Sequence, residues 1–161
     1  MPSPDLVVSN TTPLIKLVGV GLLDLLPTLY QEIHVPEAVF NEYQAGRAQH
    51  PNSPDLVTLS WIIVHTIAPD PAVPTGLDAG EAQAIALART LSARLILLDE
   101  RRGRDLAERL GLPVVGTMAV LIEGKLQGHI PLVAPVIDQM IAQGRRISPR
   151  LRAEVLKRAG E

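Results

Sequence analysis

Four short segments carry the oxygen-bearing side chains that could do chemistry in this chain: LVVSNTTPL (6–14), VPEAVFNEY (35–43), LDAGEAQAIALA (77–88) and RLILLDERRGR (94–104). Asn10 and Asp99 each follow an apolar run of strand type, whereas Glu42 and Glu81 fall inside helical patterns. Where strands and helices alternate, strand ends and helix starts line one edge of a parallel sheet. Carboxylates gathered at such an edge repel one another unless a divalent cation holds them. The chemistry expected of such a group is metal-dependent.

Each position also has a plainer explanation when taken alone. Asp99-Glu100 ends the continuous apolar run RLILL, where open α/β sheets bind ligands, yet turns favour carboxylates too. Asp78-Ala-Gly-Glu81 matches a capping box, with Asp78 as N-cap and Glu81 at the third helical position. Against capping alone, helical periodicity puts Glu81 on one face with Ile85 and Ala88, with Gln83 and Thr90 opposite. A helix start would also ease the negative charge of Glu81. Glu42 lies one turn beyond Ala38 and Val39, towards the apolar side of a short helix, and Asn10 could bond the turn after its strand. With Thr11 and Thr12 alongside, the plainer explanations must hold four separate times.

Positioning these residues requires a particular run of elements. Leu6–Ser9 predicts a short buried strand, and Thr12-Pro13 an N-cap and first residue of a helix over 13–18. A leucine-rich helix follows at about 21–30, then strand Ile33–Val35, with Pro36 opening the helix of Glu42. Residues 45–60 read as irregular, Trp61–His65 as a strand and 69–74 as a proline-rich loop. Helix 79–92, strand 94–98, helix 103–110 and strand Val114–Val115 come next. Helices near 117–127, 132–143 and 149–158 complete the chain, the last capped by Ser148-Pro149. The expected fold is α/β, with a central parallel sheet of four or five strands. Leu6–Ser9 and Leu95–Leu98 should be central, because runs apolar on successive residues suit strands covered on both faces. No repeat or linker divides residues 1–161, which read as a single domain, with helices over about 132–158 packing on it or on a partner.

Composition narrows the function classes. At 161 residues and 47% hydrophobic content, one core of ordinary size is expected. The absence of cysteine removes disulfides, thiolate metal sites and cysteine nucleophiles. His34, His50, His65 and His129 show no metal-ligand spacing, and neither a Gly-x-Ser-x-Gly elbow nor a phosphate-binding Gly-Lys-Ser/Thr loop is present. No signal peptide or membrane span is legible, so the chain reads as soluble and cytoplasmic. The net charge of −2 is unevenly spread: residues 1–93 hold three basic and nine acidic side chains, residues 94–161 twelve and eight. The stretch 145–158 carries Arg145, Arg146, Arg150, Arg152, Lys157 and Arg158 against Glu154 alone, which suits either a polyanionic ligand or a solvated helix face. With 2% aromatic residues there is little to stack bases on, so contact with nucleic acid would be mostly to backbone.

The segments resemble the PIN-domain family, in particular its small prokaryotic stand-alone branch of VapC-like toxin ribonucleases. The resemblance covers nearly the whole chain. It runs from Asn10-Thr-Thr-Pro-Leu14 through the Val-Pro-Glu-Ala-Val helix with Glu42, Leu-Asp-Ala-Gly-Glu-Ala, and Leu-Leu-Asp-Glu-Arg-Arg-Gly-Arg. It continues through Gly111-Leu-Pro-Val-Val-Gly-Thr117 to Arg146-Ile-Ser148. The resemblance implies a PIN-like three-layer sandwich and a Mg²⁺- or Mn²⁺-dependent ribonuclease. It also implies a homodimer and a cognate antitoxin that blocks the site. By position, the family's acidic residues fall on Asn10, Glu42, Glu81 and Asp99, which would be the catalytic and metal-holding set, with Glu100 as an auxiliary acid. Most PIN nucleases carry aspartate where this chain has Asn10. Asparagine offers an oxygen but no charge, and it cannot act as a base. Mg²⁺ needs only one or two carboxylates beside water and phosphate, so the three that remain still suit it.

A cation held by Asp99, Glu81, Glu42 and Asn10 would polarise a phosphodiester and make a bound water more acidic. Thr11, Thr12 and Thr117 are candidates to hydrogen-bond ligands or phosphate. Arg101, Arg102 and Arg104 could neutralise RNA phosphates, or instead pair with Glu100, Asp105 and Glu108 on a solvated helix. Two rivals stand beside the ribonuclease: a PIN-fold protein that binds RNA or a partner without cutting, and a metal-dependent phosphatase or nucleotide hydrolase using the same acidic edge.

Overall fold

The short apolar runs pair into a five-stranded, all-parallel sheet in a computed structural model that describes residues 5–161. The strands are Val7–Ser9 (β1), Ile33–Pro36 (β2), Ile62–His65 (β3), Leu95–Leu97 (β4) and Val114–Val115 (β5), in the order β3-β2-β1-β4-β5. Ser9 pairs with Leu97 and Val8 with Ile96 on one side of β1, and Val8 with His34 on the other. The chain winds outward from β1 to β3, then returns to the far side of β1 to lay down β4 and β5. The gap between the ends of β1 and β4 is therefore the topological switch point, where open α/β sheets leave a crevice.

Helices cover both faces: Thr11–Gly19 (α1), Leu25–Tyr30 (α2), Glu37–Gly46 (α3), Ala79–Thr90 (α4), Arg101–Arg109 (α5), Thr117–Leu126 (α6), Ala134–Ala142 (α7) and Pro149–Arg158 (α8). Successive strand residues face opposite sides. Val7, Ile33, Val35 and Leu97 enter one core with α1, α2, α3, α6, α7 and α8; Val8, Ile96 and Leu98 enter another with α4 and α5. Each fully buried Val, Leu or Ile contributes about 1.5–3 kcal/mol. Burial on both faces is why β4 is apolar at every position and β1 at Val7 and Val8. The result is a three-layer sandwich, with β1 and β4 inside the sheet. Ile137 and Met140 of α7 and Val155 of α8 are buried in the first core, so the C-terminal helices join this core, α8 against α6 and α7.

Several boundaries differ from the sequence expectation, three of them at helix starts near the site or leading to it. α1 begins at Thr11, because Asn10 takes the extended N-cap conformation and puts Thr12 and Pro13 inside the first turn, where a missing N–H is harmless. α2 is confined to Leu25–Tyr30, since Gly21 turns at φ 70° after α1. α5 starts at Arg101 behind an extended Glu100, which brings Arg101 and Arg102 onto the helix. Residues 45–60 contain short 3-10 turns at Arg47–Gln49 and Leu56–Thr58. Among the described residues, no helix is long and apolar enough to cross a membrane.

Candidate active site

The backbone N–H of Asn10 donates to Leu97 O at 3.0 Å, which seats this residue beside the end of β4. Its side chain does not bond the following turn: Asn10 is 3% exposed, caps nothing in α1, and its Oδ1 has no hydrogen-bond partner. Next to it, Thr11 Oγ1 donates to Glu42 Oε2 at 2.9 Å and draws α3 towards the start of α1. Gly80 makes the room. A Cβ there would lie 2.9 Å from Glu42 Oε2, 3.2 Å from Asn10 Oδ1 and 3.4 Å from Asp78 Oδ1. Three oxygens from three separate segments thus crowd the bare side of one glycine. The expectation that Glu42 lies towards the apolar side of its helix needs correction: Val39 and Tyr43 form the buried stripe of α3, and Glu42 is exposed at its border. Its carboxylate still meets Thr11.

Glu81 follows Gly80 in α4 and is buried on one face with Ile85 and Ala88, whereas Thr90 is exposed. Asp78 caps the helix by accepting the Glu81 N–H at 2.8 Å. Capping does not account for the whole Glu81 carboxylate, because Oε1 is buried without a partner. Burial, and then the charges of Asp78 and Glu100, push this carboxyl above the usual carboxylate range; the Asp78 N–H and the Arg102 guanidinium oppose the rise without overcoming it. A buried polar group left unpaired costs about 1–3 kcal/mol. Two such oxygens, Asn10 Oδ1 and Glu81 Oε1, flank the switch point.

Asp99 is fully engaged by contrast. Its Oδ1 accepts the Thr117 N–H at 2.7 Å, and its Oδ2 accepts Thr117 Oγ1 at 2.7 Å and faces Lys16 Nζ at 3.3 Å. Gly116 lets this group close up, since a Cβ there would meet Asp99 Oδ1 at 2.8 Å and Arg104 Nη1 at 2.6 Å. Lys16 was not among the residues singled out by sequence. The signal was there: it is the one charge within residues 13–20, a helical turn beyond Thr12 on the same face. The sequence alone offers Asp78 only as a cap.

The four expected positions share one sheet edge but divide into two groups. Asn10, Glu42 and Asp78 surround Gly80, with Glu81 adjoining and Glu100 acting on Glu81 through its charge. Asp99 turns to Thr117 and Lys16. Among the described residues, no three Asp, Glu or His side chains form a ready-made metal cage. The donor set nevertheless suits a hard divalent cation. Asn10 Oδ1 and Glu81 Oε1 are buried oxygens without hydrogen donors, and Mg²⁺ accepts such a sparse protein set when waters complete its shell.

Cations stand beside the acids. Arg101 and Arg104, a turn apart on α5, line a cavity of about 650 Å³ that opens next to Asp99. Arg102 turns the other way, with Nη2 3.6 Å from where a Cβ on Gly76 would be. Among the described residues, none of the three is in a salt bridge, so pairing with Glu100, Asp105 and Glu108 is not what holds them. Thr12 opens instead onto a second cavity of about 330 Å³, shared with Lys16 and Glu100.

Fold and site together define an α/β protein with a parallel sheet whose carboxyl edge is lined with oxygens of a kind that suits a cation and flanked by arginines of a kind that suits phosphate. A family model described as a PIN domain matches residues 6–161, and the chain belongs to the PIN-domain family, whose general chemistry is nuclease action. Among curated proteins, none matches the chain.

Proposed function

We propose that this chain is a divalent-metal-dependent endoribonuclease that hydrolyses RNA phosphodiesters with Mg²⁺ or Mn²⁺. The observation that carries this reading is the pair of buried, unpartnered oxygens, Asn10 Oδ1 and Glu81 Oε1, at the switch point of a PIN fold. When bound, a divalent cation supplies charge that polarises a phosphoryl oxygen and makes a water more acidic. Asn10, Glu81 and Glu42 would hold it, with Asp99 joining from the α6 side. Asn10 contributes a neutral oxygen and takes no proton. A carboxylate of the set, not Asn10, would take the proton from the attacking water. Thr11 orients Glu42 and Thr117 orients Asp99. Arg101 and Arg104 neutralise phosphates of the bound strand.

Within this reading the chain is the cytoplasmic toxin of a toxin–antitoxin pair, a homodimer held inactive by its antitoxin. Support for that part is the resemblance of its motif segments to VapC-like proteins. Growth arrest on expression, relieved by co-expressing a neighbouring reading frame, tests it.

One observation favours the rival, a PIN-fold protein that binds RNA with little cleavage. Asn10 lacks the charge of an aspartate, and both Asp99 oxygens are already taken. The deciding experiment titrates Mn²⁺ and Mg²⁺ against cleavage of a generic RNA, beside a panel of small phosphate esters. Metal-dependent RNA cleavage that chelation abolishes supports the ribonuclease. Cleavage unaffected by chelation, or none at any metal concentration, favours the binding protein, and turnover of the esters alone favours a phosphatase.

A further inference from the structure

Arg145 and Arg146 belong to the short connector between α7 and α8, far in sequence from the acidic edge. The fold brings both to the cavity of about 330 Å³ that Thr12, Lys16 and Glu100 also line. Beyond Lys16, which is paired with Asp99, two further cations face the single carboxylate of Glu100 there. In the adjoining larger cavity five cations face four carboxylates, so most of its charge is internally balanced. Lys16 and Arg146 line both cavities, which makes the smaller one the continuation of the cleft beside Asp99. Among the described residues, neither Arg145 nor Arg146 is in a salt bridge.

The connector is built rather than slack. Gly144 ends α7 at φ 94°, the left-handed conformation glycine adopts without strain. The Arg145 N–H donates to Met140 O and the Gly144 N–H to Ile141 O, each at 3.0 Å, which closes a Schellman motif. Gln143 Nε2 donates to Gly19 O at 2.7 Å and ties this turn to α1, the helix that carries Thr12 and Lys16. At the other end of the connector Ser148 caps α8 by accepting the Leu151 N–H at 3.1 Å. A connector fixed at both ends holds its two arginines at a set distance from α1, and engaging a ligand then costs less ordering entropy.

We infer that Arg145 and Arg146, with Lys16 and the Thr12 hydroxyl, form a phosphate clamp for the RNA backbone beside the phosphate that is cut. The inference rests on the ribonuclease reading above and extends it to Lys16, Arg145 and Arg146, which lie outside the four acidic segments. Backbone is the ligand because no aromatic side chain lines the cavity to stack a base, while a cation cluster suits phosphate.

The test is fluorescence anisotropy of a labelled single-stranded RNA, in chelator so that it stays intact, between about 50 and 200 mM salt. The full chain is compared with Arg145→Ala/Arg146→Ala, the charge-keeping Arg145→Lys/Arg146→Lys, and Arg150→Ala, an exposed cation of α8 outside both cavities. The double alanine variant should bind about tenfold more weakly, and its plot of log K against log salt should be shallower by about 1.4, two contacts of about 0.7 each. Arg150→Ala should bind as wild type, and the lysine variant should recover most of the slope, which excludes misfolding as the cause. Unchanged affinity and slope in the double alanine variant, where Arg101→Ala/Arg104→Ala weakens binding, overturns the clamp and leaves the ribonuclease reading standing. Failure of wild type to bind RNA at the lowest salt overturns both. Unchanged RNA binding with lost binding of an oligoglutamate peptide reassigns the cleft to an acidic protein segment and also overturns the clamp.

Discussion

Lys16 Nζ lies 3.3 Å from Asp99 Oδ2, while Thr117 grips the same carboxylate through its N–H and its hydroxyl, each at 2.7 Å. Asp99 is therefore held in one orientation with its charge balanced. Elsewhere on the edge, Asn10 Oδ1 and Glu81 Oε1 are more deeply buried and hold nothing. The edge thus has a satisfied half and an unsatisfied half, and a hydrogen-bond donor or a cation has most to gain at the second.

Replacing Asp99 by Asn leaves Lys16 without its partner and weakens the grip of Thr117. RNA cleavage in Mn²⁺ should fall about 100-fold or more, the scale of losing a positioned ionisable group. Stability should drop by about 1–3 kcal/mol, measured by denaturant unfolding. Cleavage equal to wild type would remove Asp99 from the chemistry.

Asn10→Asp places a charge where the oxygen is unpartnered and near Glu42 and Asp78. Without metal the three carboxylates repel, so the melting temperature should fall below that of wild type. Affinity for Mn²⁺ should rise about tenfold, equivalent to about 1.4 kcal/mol, and calorimetric titration reads it directly. The same Mn²⁺ affinity in both proteins would show that no cation meets this side chain.

Glu81→Gln tests the raised carboxyl. A carboxyl whose folded pKa lies above its unfolded value stabilises the fold fully only below the unfolded value, ordinarily 4.5, and the contribution is lost as pH rises through the folded value. Above the folded value the wild type therefore carries a buried carboxylate with one unpaired oxygen, which glutamine avoids. The variant should be more stable there by about 1 kcal/mol, with the gain vanishing below pH about 4. Mn²⁺ binding should weaken in the same protein. A residue whose loss stabilises the fold while harming binding has the signature of a functional site.

Gly80→Ala asks whether the space beside Glu42 and Asn10 is needed. Alanine suits a helix slightly better than glycine, so unfolding free energy should change by less than about 1 kcal/mol. Its methyl group would stand 2.9 Å from Glu42 Oε2 and push the carboxylate away from Thr11. The rise in melting temperature that Mn²⁺ gives wild type should be lost; its persistence at full size would count against the site around Gly80.

The sheet carries a separate acid-sensitive contact. His34 Nδ1 and His65 Nε2, on neighbouring strands, are 2.8 Å apart, a hydrogen bond in which one ring must remain neutral. Burial, and then the proximity of His65, lower the pKa of His34 below 6.5, with Glu32 opposing. The unfolded chain takes up the proton first, so stability declines as pH falls from about 6.5 through the lower folded value. His65→Gln should flatten this decline in a series of unfolding curves, and an unchanged pH profile would show that the pair contributes nothing.

Local rules made much of the frame legible. Val7 and Val8, apolar in succession, announced a strand covered on both faces, and the three-residue spacing of Asp78 and Glu81 announced a helix start. The inward direction of Glu81 followed from its period with Ile85 and Ala88. These features depend on residues within a turn or a strand of one another, and short-range sterics and hydrogen bonding decide them. The partners at the site depend on the order of strands. Only once β4 returns beside β1 does Lys16 meet Asp99 and Asn10 come level with the end of Leu95–Leu97. Thr11 reaches Glu42 across 31 residues, and Arg145 faces Thr12 because Gln143 ties α7 to the end of α1. The sequence by itself determined which side chains were available and which faces they occupied. Tertiary structure decided which oxygens were satisfied and which were left bare, because long-range packing around one glycine and one crossover, not local propensity, brings those atoms together.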